Sequence, residues 1–184
     1  MMKKIKSIAI FILQLVVLAV IAFGLVRLVH QFVFQPYYVY GSSMEPNFFN
    51  FDYLIIDKVS YLAGEPKRGE AVILISPLDQ RSKFLKRVIG LPNEEIKIKE
   101  GKIYLKTNSA SWQELEEPYL QKGLSTPGEI DVSLKEDEYF VLGDNRGSSL
   151  DSRSFGPVKE RAILGRICLR LWPFDRLTVI RAAQ

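Results

Sequence analysis

The chain has 184 residues, a formal net charge of +4, one cysteine and one histidine. That length suits one folded domain plus an anchor. The charge is mild and scattered, with no basic stretch interleaved with aromatics, which argues against nucleic acid as a partner. With Cys168 and His30 alone of their kinds, an intrachain disulfide and a cysteine-based zinc cluster are excluded. Any metal site would have to be carboxylate-rich, and no calcium-loop spacing is present.

From the N-terminus, Ile8 to Val26 is apolar apart from Gln14 and Gly24, about the ~20 residues that cross a bilayer as a helix. Lys3, Lys4 and Lys6 precede it and only Arg27, with His30, follows closely. The positive-inside rule then places residues 1–6 in the cytoplasm, a transmembrane signal-anchor helix over 7–29, and residues 30–184 outside. The alternative is a cleaved secretory leader. The apolar region is longer than a normal leader core, and bulky residues from Arg27 to Phe34 stand where a small-x-small cleavage site would be.

After the anchor, Phe32 to Tyr40 is aromatic and β-branched. Strand-like runs follow at Tyr53–Asp57, Ala71–Ile75, Phe84–Ile89, Ile96–Lys99, Lys102–Leu105, Glu138–Leu142, Ile163–Trp172 and Leu177–Ile180. Turn residues separate them, among them Gly64-Glu65-Pro66, Leu91-Pro92-Asn93, Glu100-Gly101, Gly143-Asp144-Asn145 and Gly156-Pro157. Ile96–Leu105 reads as a hairpin about Glu100-Gly101. No long amphipathic helix lies beyond the anchor. The expected class is mainly β: a folded antiparallel, barrel-like catalytic domain behind one N-terminal transmembrane helix. A small subdomain is expected to be inserted at about 95–137, around the polar, turn-rich stretch from 106 to 135.

Three segments carry candidate chemistry. Ser43 lies in Gly41-Ser42-Ser43-Met44-Glu45-Pro46-Asn47, where Gly41 permits a tight turn and Pro46 stiffens the exit. The turn can present the hydroxyl and the Ser43 N–H to a carbonyl. Met44 offers an apolar side chain for lipid or substrate. The bland reading is a surface-loop serine. Lys86 lies in an apolar run in which Phe84, Lys86 and Val88 share one strand face. Desolvation there disfavours the ammonium, and a neutral lysine can take a proton from a serine hydroxyl. Arg87 points the opposite way, beside Leu85 and Ile89. The bland reading of Lys86 is a lysine snorkelling from a sheet edge. The third segment, Gly143 to Arg153 followed by Phe155-Gly156-Pro157, is dense in hydroxyls and opposite charges. It can lock itself through Asp–Arg pairs, with Ser148 or Ser149 orienting a lysine; otherwise it is a solvated loop.

Together these segments resemble bacterial type I signal peptidases, the membrane-anchored Ser–Lys endopeptidases of the S26 family. Gly41 to Pro46 resembles the nucleophile box and Asp52 to Tyr61 the next strand box. Pro66-Lys67-Arg68-Gly69-Glu70 resembles the step before a strand, Lys86 to Pro92 the lysine box, and Gly143 to Arg153 the last box. All five stand in the family's order over nearly the whole chain. The resemblance implies Ser43 as nucleophile and Lys86 as general base, with the Ser43 N–H in the oxyanion hole. It implies that Ser149 orients the lysine, and that Asp151, Arg153, Asp144 and Arg146 support the site. Tyr37, Val39, Ile73, Phe84 and Leu85 would stand near shallow pockets for small residues before the cut. The substrates would be signal peptides of secretory preproteins, cut after an A-x-A-like site, at the outer face of the plasma membrane. No metal or soluble cofactor is implied. Phe48, Phe49, Trp172 and Phe174 are candidates for contact with membrane lipid or for core.

Gly41 stands where part of the family has a serine that donates to the oxyanion, Asn47 where a threonine is common, and Gly147 where an acid is frequent. A Ser–His–Asp hydrolase is disfavoured because His30 borders the apolar span and no GxSxG occurs, and a penicillin-binding fold because no SxxK occurs. Self-cleaving repressor-type proteins share the Ser–Lys logic but lack the anchor. A catalytically silent, membrane-anchored peptide binder is the alternative from another class.

Overall fold

A computed structural model describes residues 2–32, 34–61, 64–107 and 111–181. Helix α1 (Met2–Phe32) leads the chain. From Ile10 to Gly24 every side chain on it is exposed, and nearly all are apolar. Among the described residues no helix is long and apolar enough to cross a membrane. The side chains of Lys3, Lys4, Lys6 and His30 lie outside the described ones.

Among the described residues twelve strands follow: β1 (Phe34–Tyr38), β2 (Tyr53–Asp57), β3 (Ala71–Ile75), β4 (Lys83–Gly90), β5 (Glu94–Lys99), β6 (Lys102–Thr107), β7 (Gln113–Glu114), β8 (Ile130–Ser133), β9 (Glu138–Leu142), β10 (Val158–Lys159), β11 (Ile163–Trp172) and β12 (Thr178–Val179). The short helix α2 (Ser152–Phe155) falls between β9 and β10. The protein is therefore mainly β, and every pairing is antiparallel. The larger sheet runs β1-β2-β11-β3-β4-β9-β10, with β12 on the far half of β11; the smaller runs β7-β6-β5-β8.

Local sequence explains several of these choices. Pro36 has no N–H to give and sits on β1, which among the described residues pairs only with β2 and so forms an edge. The β5–β6 hairpin turns on Glu100 and Gly101, with φ of 53° and 79°. Both central residues thus adopt the left-handed conformation that a two-residue hairpin loop requires. Along β11 the register shifts three times, and such irregularities bend a long strand so that one sheet can curl around a core.

Three apolar clusters fill the interior. The first joins Val39, Met44, Phe48, Leu54, Ile56, Ile73 and Leu85. The second lies across β3 and β4 around Val72, Leu74, Val88 and Val141. The third ties the two sheets together, Ile89, Phe140 and Leu142 meeting Ile96, Ile98 and Ile103. Met44 (1% exposed) corrects one expectation, since it faces neither lipid nor substrate, and Phe48 (2%) takes the core position of its two readings. Phe48 N–H donates to the Met44 carbonyl at 2.9 Å, so the segment after Ser43 makes a helical turn that points both side chains inward. Burying two such side chains contributes on the order of 3–6 kcal/mol relative to exposing them, which anchors the loop carrying Ser43. Trp172 and Phe174 stay exposed.

Candidate active site

Ser43 follows a turn in which Gly41 has φ of +91°, a conformation that side-chain-bearing residues rarely adopt. The Gly41 N–H donates to the Asn50 side chain at 3.0 Å. The Asn145 side chain donates to the Ser42 carbonyl and the Asn145 N–H to the Ser43 carbonyl, each at 3.1 Å. The Ser43 N–H donates to no described group. From the rear, Arg170 donates to the Asn47 carbonyl and pairs with buried Asp52. The loop is thus held through its carbonyls, while the Ser43 N–H and hydroxyl remain available.

Lys86 projects from β4, which is flanked by β3 and β9. It is 3% exposed, so it is not a snorkelling edge lysine. Its Nζ donates to Ser43 Oγ at 2.8 Å and to the Leu85 carbonyl at 3.0 Å, and lies 5.4 Å from the centre of the Phe84 ring. Burial lowers the Lys86 pKa from 10.5 to about 8 against the opposing pull of the Asp151 and Asp144 charges. The arrangement therefore offers an amine that sheds its proton near neutral pH, in hydrogen-bond contact with a hydroxyl. That is the geometry required of a base and a nucleophile.

The segment from Gly143 to Arg153 closes around this pair. Asp144 is fully buried and accepts from both Arg87 Nε (2.8 Å) and Asn47 Nδ2 (2.9 Å). Arg87 also donates to the Gly69 carbonyl at 2.8 Å, and its guanidinium lies 4.0 Å from the centre of the Tyr119 ring. Arg146, 2% exposed, pairs with Glu117 and donates to Thr126 Oγ1 and to the Gly143 carbonyl. Asp151 caps α2 and accepts from the Gly143 N–H (3.0 Å) and from Arg153 Nε and Nη2 (2.9 and 2.8 Å). Burial pushes the Asp151 carboxyl up, but the Arg153 and Gly143 hydrogen bonds and the Arg153 charge outweigh it, so its pKa lies below the ordinary value. It stays an anion. Gly143 is required by proximity: a Cβ there would run into Ser149 Oγ and the Ser43 carbonyl.

The expected supporting residues differ in what they touch. Ser149 Oγ is buried and makes no hydrogen bond of ordinary geometry to Lys86 or to any other described residue, although it helps hold the Asp151 carboxyl low. Arg87, set aside in the sequence as pointing away from Lys86, does point away, and there it makes the buried ion pair with Asp144. Asn47, noted only as a departure, is the side chain that links the nucleophile loop to Asp144. An arginine amid apolar strand residues was the available signal for the first; Asn47 carried none, since its partner is distant in sequence. Of the expected pocket residues, Val39, Ile73 and Leu85 are buried in one cluster with Tyr37 packed on it. Phe84 lies in the other cluster, with its ring 6.3 Å from that of Phe155.

Comparison with known proteins identifies the family. The family model described as signal peptidase, peptidase S26, matches residues 12–172. A probable signal peptidase I-2 of Synechocystis is 35% identical over 83% of this chain and 69% of its own length. Signal peptidase I U of Bacillus subtilis is 33% identical over 95% of this chain and 92% of its own. A crystal structure of a signal peptidase I from Enterococcus faecalis aligns with 56% of this chain and 97% of its own, at 28% identity and a TM-score of 0.47. The chain belongs to the S26 signal peptidase family.

Proposed function

We propose that this family member removes signal peptides from secretory preproteins after an A-x-A-like site, with Ser43 as nucleophile and Lys86 as general base. The observation that carries the assignment is the 2.8 Å contact between Lys86 Nζ and Ser43 Oγ, made by a lysine whose pKa burial lowers to about 8. Neutral Lys86 takes the Ser43 proton as Oγ attacks the carbonyl carbon at the cut. The oxyanion is stabilised by the unbonded Ser43 N–H, an interaction of about 3–4 kcal/mol where such a donor has been removed. Lys86, now an ammonium, returns the proton to the departing amine. Water, activated by neutral Lys86, then releases the acyl group from Ser43.

Asp144, Arg146, Asp151 and Arg153 act as positioning residues that hold the segment against both halves of the dyad. Ser149 serves the same end once substrate closes the site, because catalytic hydrogen bonds often tighten only in the complex. Tyr37, Val39, Ile73, Phe84 and Leu85 border the residues before the cut, and the substrate lies extended along a sheet edge. Residues 7–29 anchor the chain in the plasma membrane. Residues 1–6 lie in the cytoplasm and 30–184 outside it, with 95–137 as a small inserted subdomain. The exposed apolar face of α1 and the N-terminal lysines support that topology.

The test is cleavage of a fluorogenic peptide whose signal portion ends in Ala-x-Ala, by detergent-solubilised wild type, Ser43→Ala and Lys86→Met. Cleavage after the second Ala by wild type alone is expected. Activity retained by either variant overturns the dyad.

A further inference from the structure

The proposed site accounts for the residues before the cut and leaves the residues after it without a place. A cavity of about 260 Å³ adjoins the nucleophile loop, lined by Glu45, Pro46, Gln121, Leu124, Asn145 and Gly147, with Asp144 and Arg146 also on its wall. It shares no lining residue with Tyr37, Val39, Ile73, Phe84 and Leu85. Its relation to the nucleophile is fixed by hydrogen bonds. Asn145 holds the Ser42 and Ser43 carbonyls, and the Glu45 N–H donates to the Ser42 carbonyl at 3.1 Å. Glu45 thus stands two residues past Ser43 on the wall of this cavity.

Resting on the peptidase reading above, we infer that this cavity is the subsite for the first residues of the mature protein, and that Glu45 makes it select a basic side chain there. The charge pattern gives the selectivity. Asp144 is neutralised by Arg87 and Arg146 by Glu117, so Glu45 is the uncompensated charge on the cavity wall among the described residues. It is half-buried, so solvent screens it less than a fully exposed carboxylate. Pro46 and Leu124 supply apolar walls, Leu124 being 44% exposed with nothing covering it. Such walls suit the methylene stem of a lysine or arginine whose head reaches an acid.

The dimensions fit a polypeptide. Two extended residues advance about 7 Å, and the cavity holds one or two side chains. Gln121 and Leu124 are shared with a second cavity of about 830 Å³ that continues past Glu116 and Pro118. The emerging chain therefore has an open route along the smaller sheet, and a tight lid over the cut is not needed.

The experiment uses the full chain in detergent with three peptides identical up to Ala-x-Ala and differing only in the second residue after the cut: Lys, Gln or Glu. Wild type is expected to cleave in the order Lys, Gln, Glu, with kcat/KM for Lys about fivefold above that for Glu at low salt. The ratio should shrink at 1 M salt. In Glu45→Gln the Lys/Glu ratio falls towards one, and in Glu45→Lys it inverts; because each ratio is taken within one variant, a partial loss of folded protein cancels. Equal rates for the three peptides in wild type, or a ratio unchanged in both variants, overturns the subsite while leaving the peptidase reading intact. Failure of wild type to cleave any of the three overturns both.

Discussion

If Lys86 is buried as a base, it should cost the protein stability. Its pKa falls from 10.5 when exposed to about 8 in the folded chain. Below about pH 8 both states carry the proton, and the folded state bears the full penalty, about 3 kcal/mol at about 1.4 kcal/mol per pKa unit. Between about 8 and 10.5 the unfolded state binds more protons, so stability rises with pH; above 10.5 the penalty is gone. Lys86→Met removes the penalty and keeps the apolar stem. It loses the hydrogen bonds to Ser43 and to the Leu85 carbonyl, together worth about 2 kcal/mol, which leaves a net gain of about 1 kcal/mol. For a domain of this size that raises the melting temperature at pH 7 by roughly 2–4 °C. At pH 10 the penalty has fallen to about 1 kcal/mol, so the gain should turn into a loss of about 1 kcal/mol. Melting wild type and Lys86→Met side by side in detergent at several pH values isolates the effect, since every other titrating group is common to both. A variant that melts at or below wild type at pH 7, or whose advantage does not decline towards pH 10, would refute the reading of Lys86 as a desolvated, mostly uncompensated amine.

The same lowered pKa predicts that kcat/KM rises with pH up to an inflection near 8, measured with the Ala-x-Ala peptide; a profile flat from pH 6 to 8 contradicts it. Gly143→Ala forces a methyl into Ser149 Oγ and the Ser43 carbonyl. It should displace Ser43 enough to lower kcat by about 100-fold, and activity within a few fold of wild type would show that the loop can yield. Asp144→Ala strands the buried Arg87 charge and should cost about 3–5 kcal/mol. Adding Arg87→Met should recover part of the lost melting temperature, and two simply additive losses would show that the pair is not coupled.

Much of the β architecture was legible because its punctuation is local. β2, β3, β9 and β11 have the bounds that their apolar runs and flanking turn residues predict. β4, β5 and β6 run one or two residues beyond theirs. The four-residue β8 and the two-residue β7 and β10 were invisible: such short strands carry no periodicity, and their pairing is decided by neighbours. In the candidate site, Ser43 and Lys86 were legible as residue types in unusual surroundings. The partners that fix them were less so. Arg87–Asp144 and Arg146–Glu117 span 57 and 29 positions, and no local rule selects among the many charged residues between. Met44 and Phe48 did carry a signal. Their spacing of four matches one helical turn, which sends both inward, but the proline and glycine around them made the segment read as an open loop.

Asp144 explains why two distant segments keep a 2.8 Å contact. It grips Arg87, the neighbour of Lys86 on β4, and Asn47, four residues past Ser43. One fully buried carboxylate therefore fixes both halves of the pair through residues that do not react. Arg87 and Lys86 leave opposite faces of the strand, so the tie to Asp144 steadies the backbone of β4 while leaving the amine free to change protonation state. A direct carboxylate partner on Lys86 would have done the reverse, favouring the ammonium and raising its pKa. Asp144 and Asp151 do act on Lys86, but through space and not by hydrogen bonds, and burial still prevails. The acids are thus near enough to organise the segment and far enough for the lysine to reach neutrality near physiological pH.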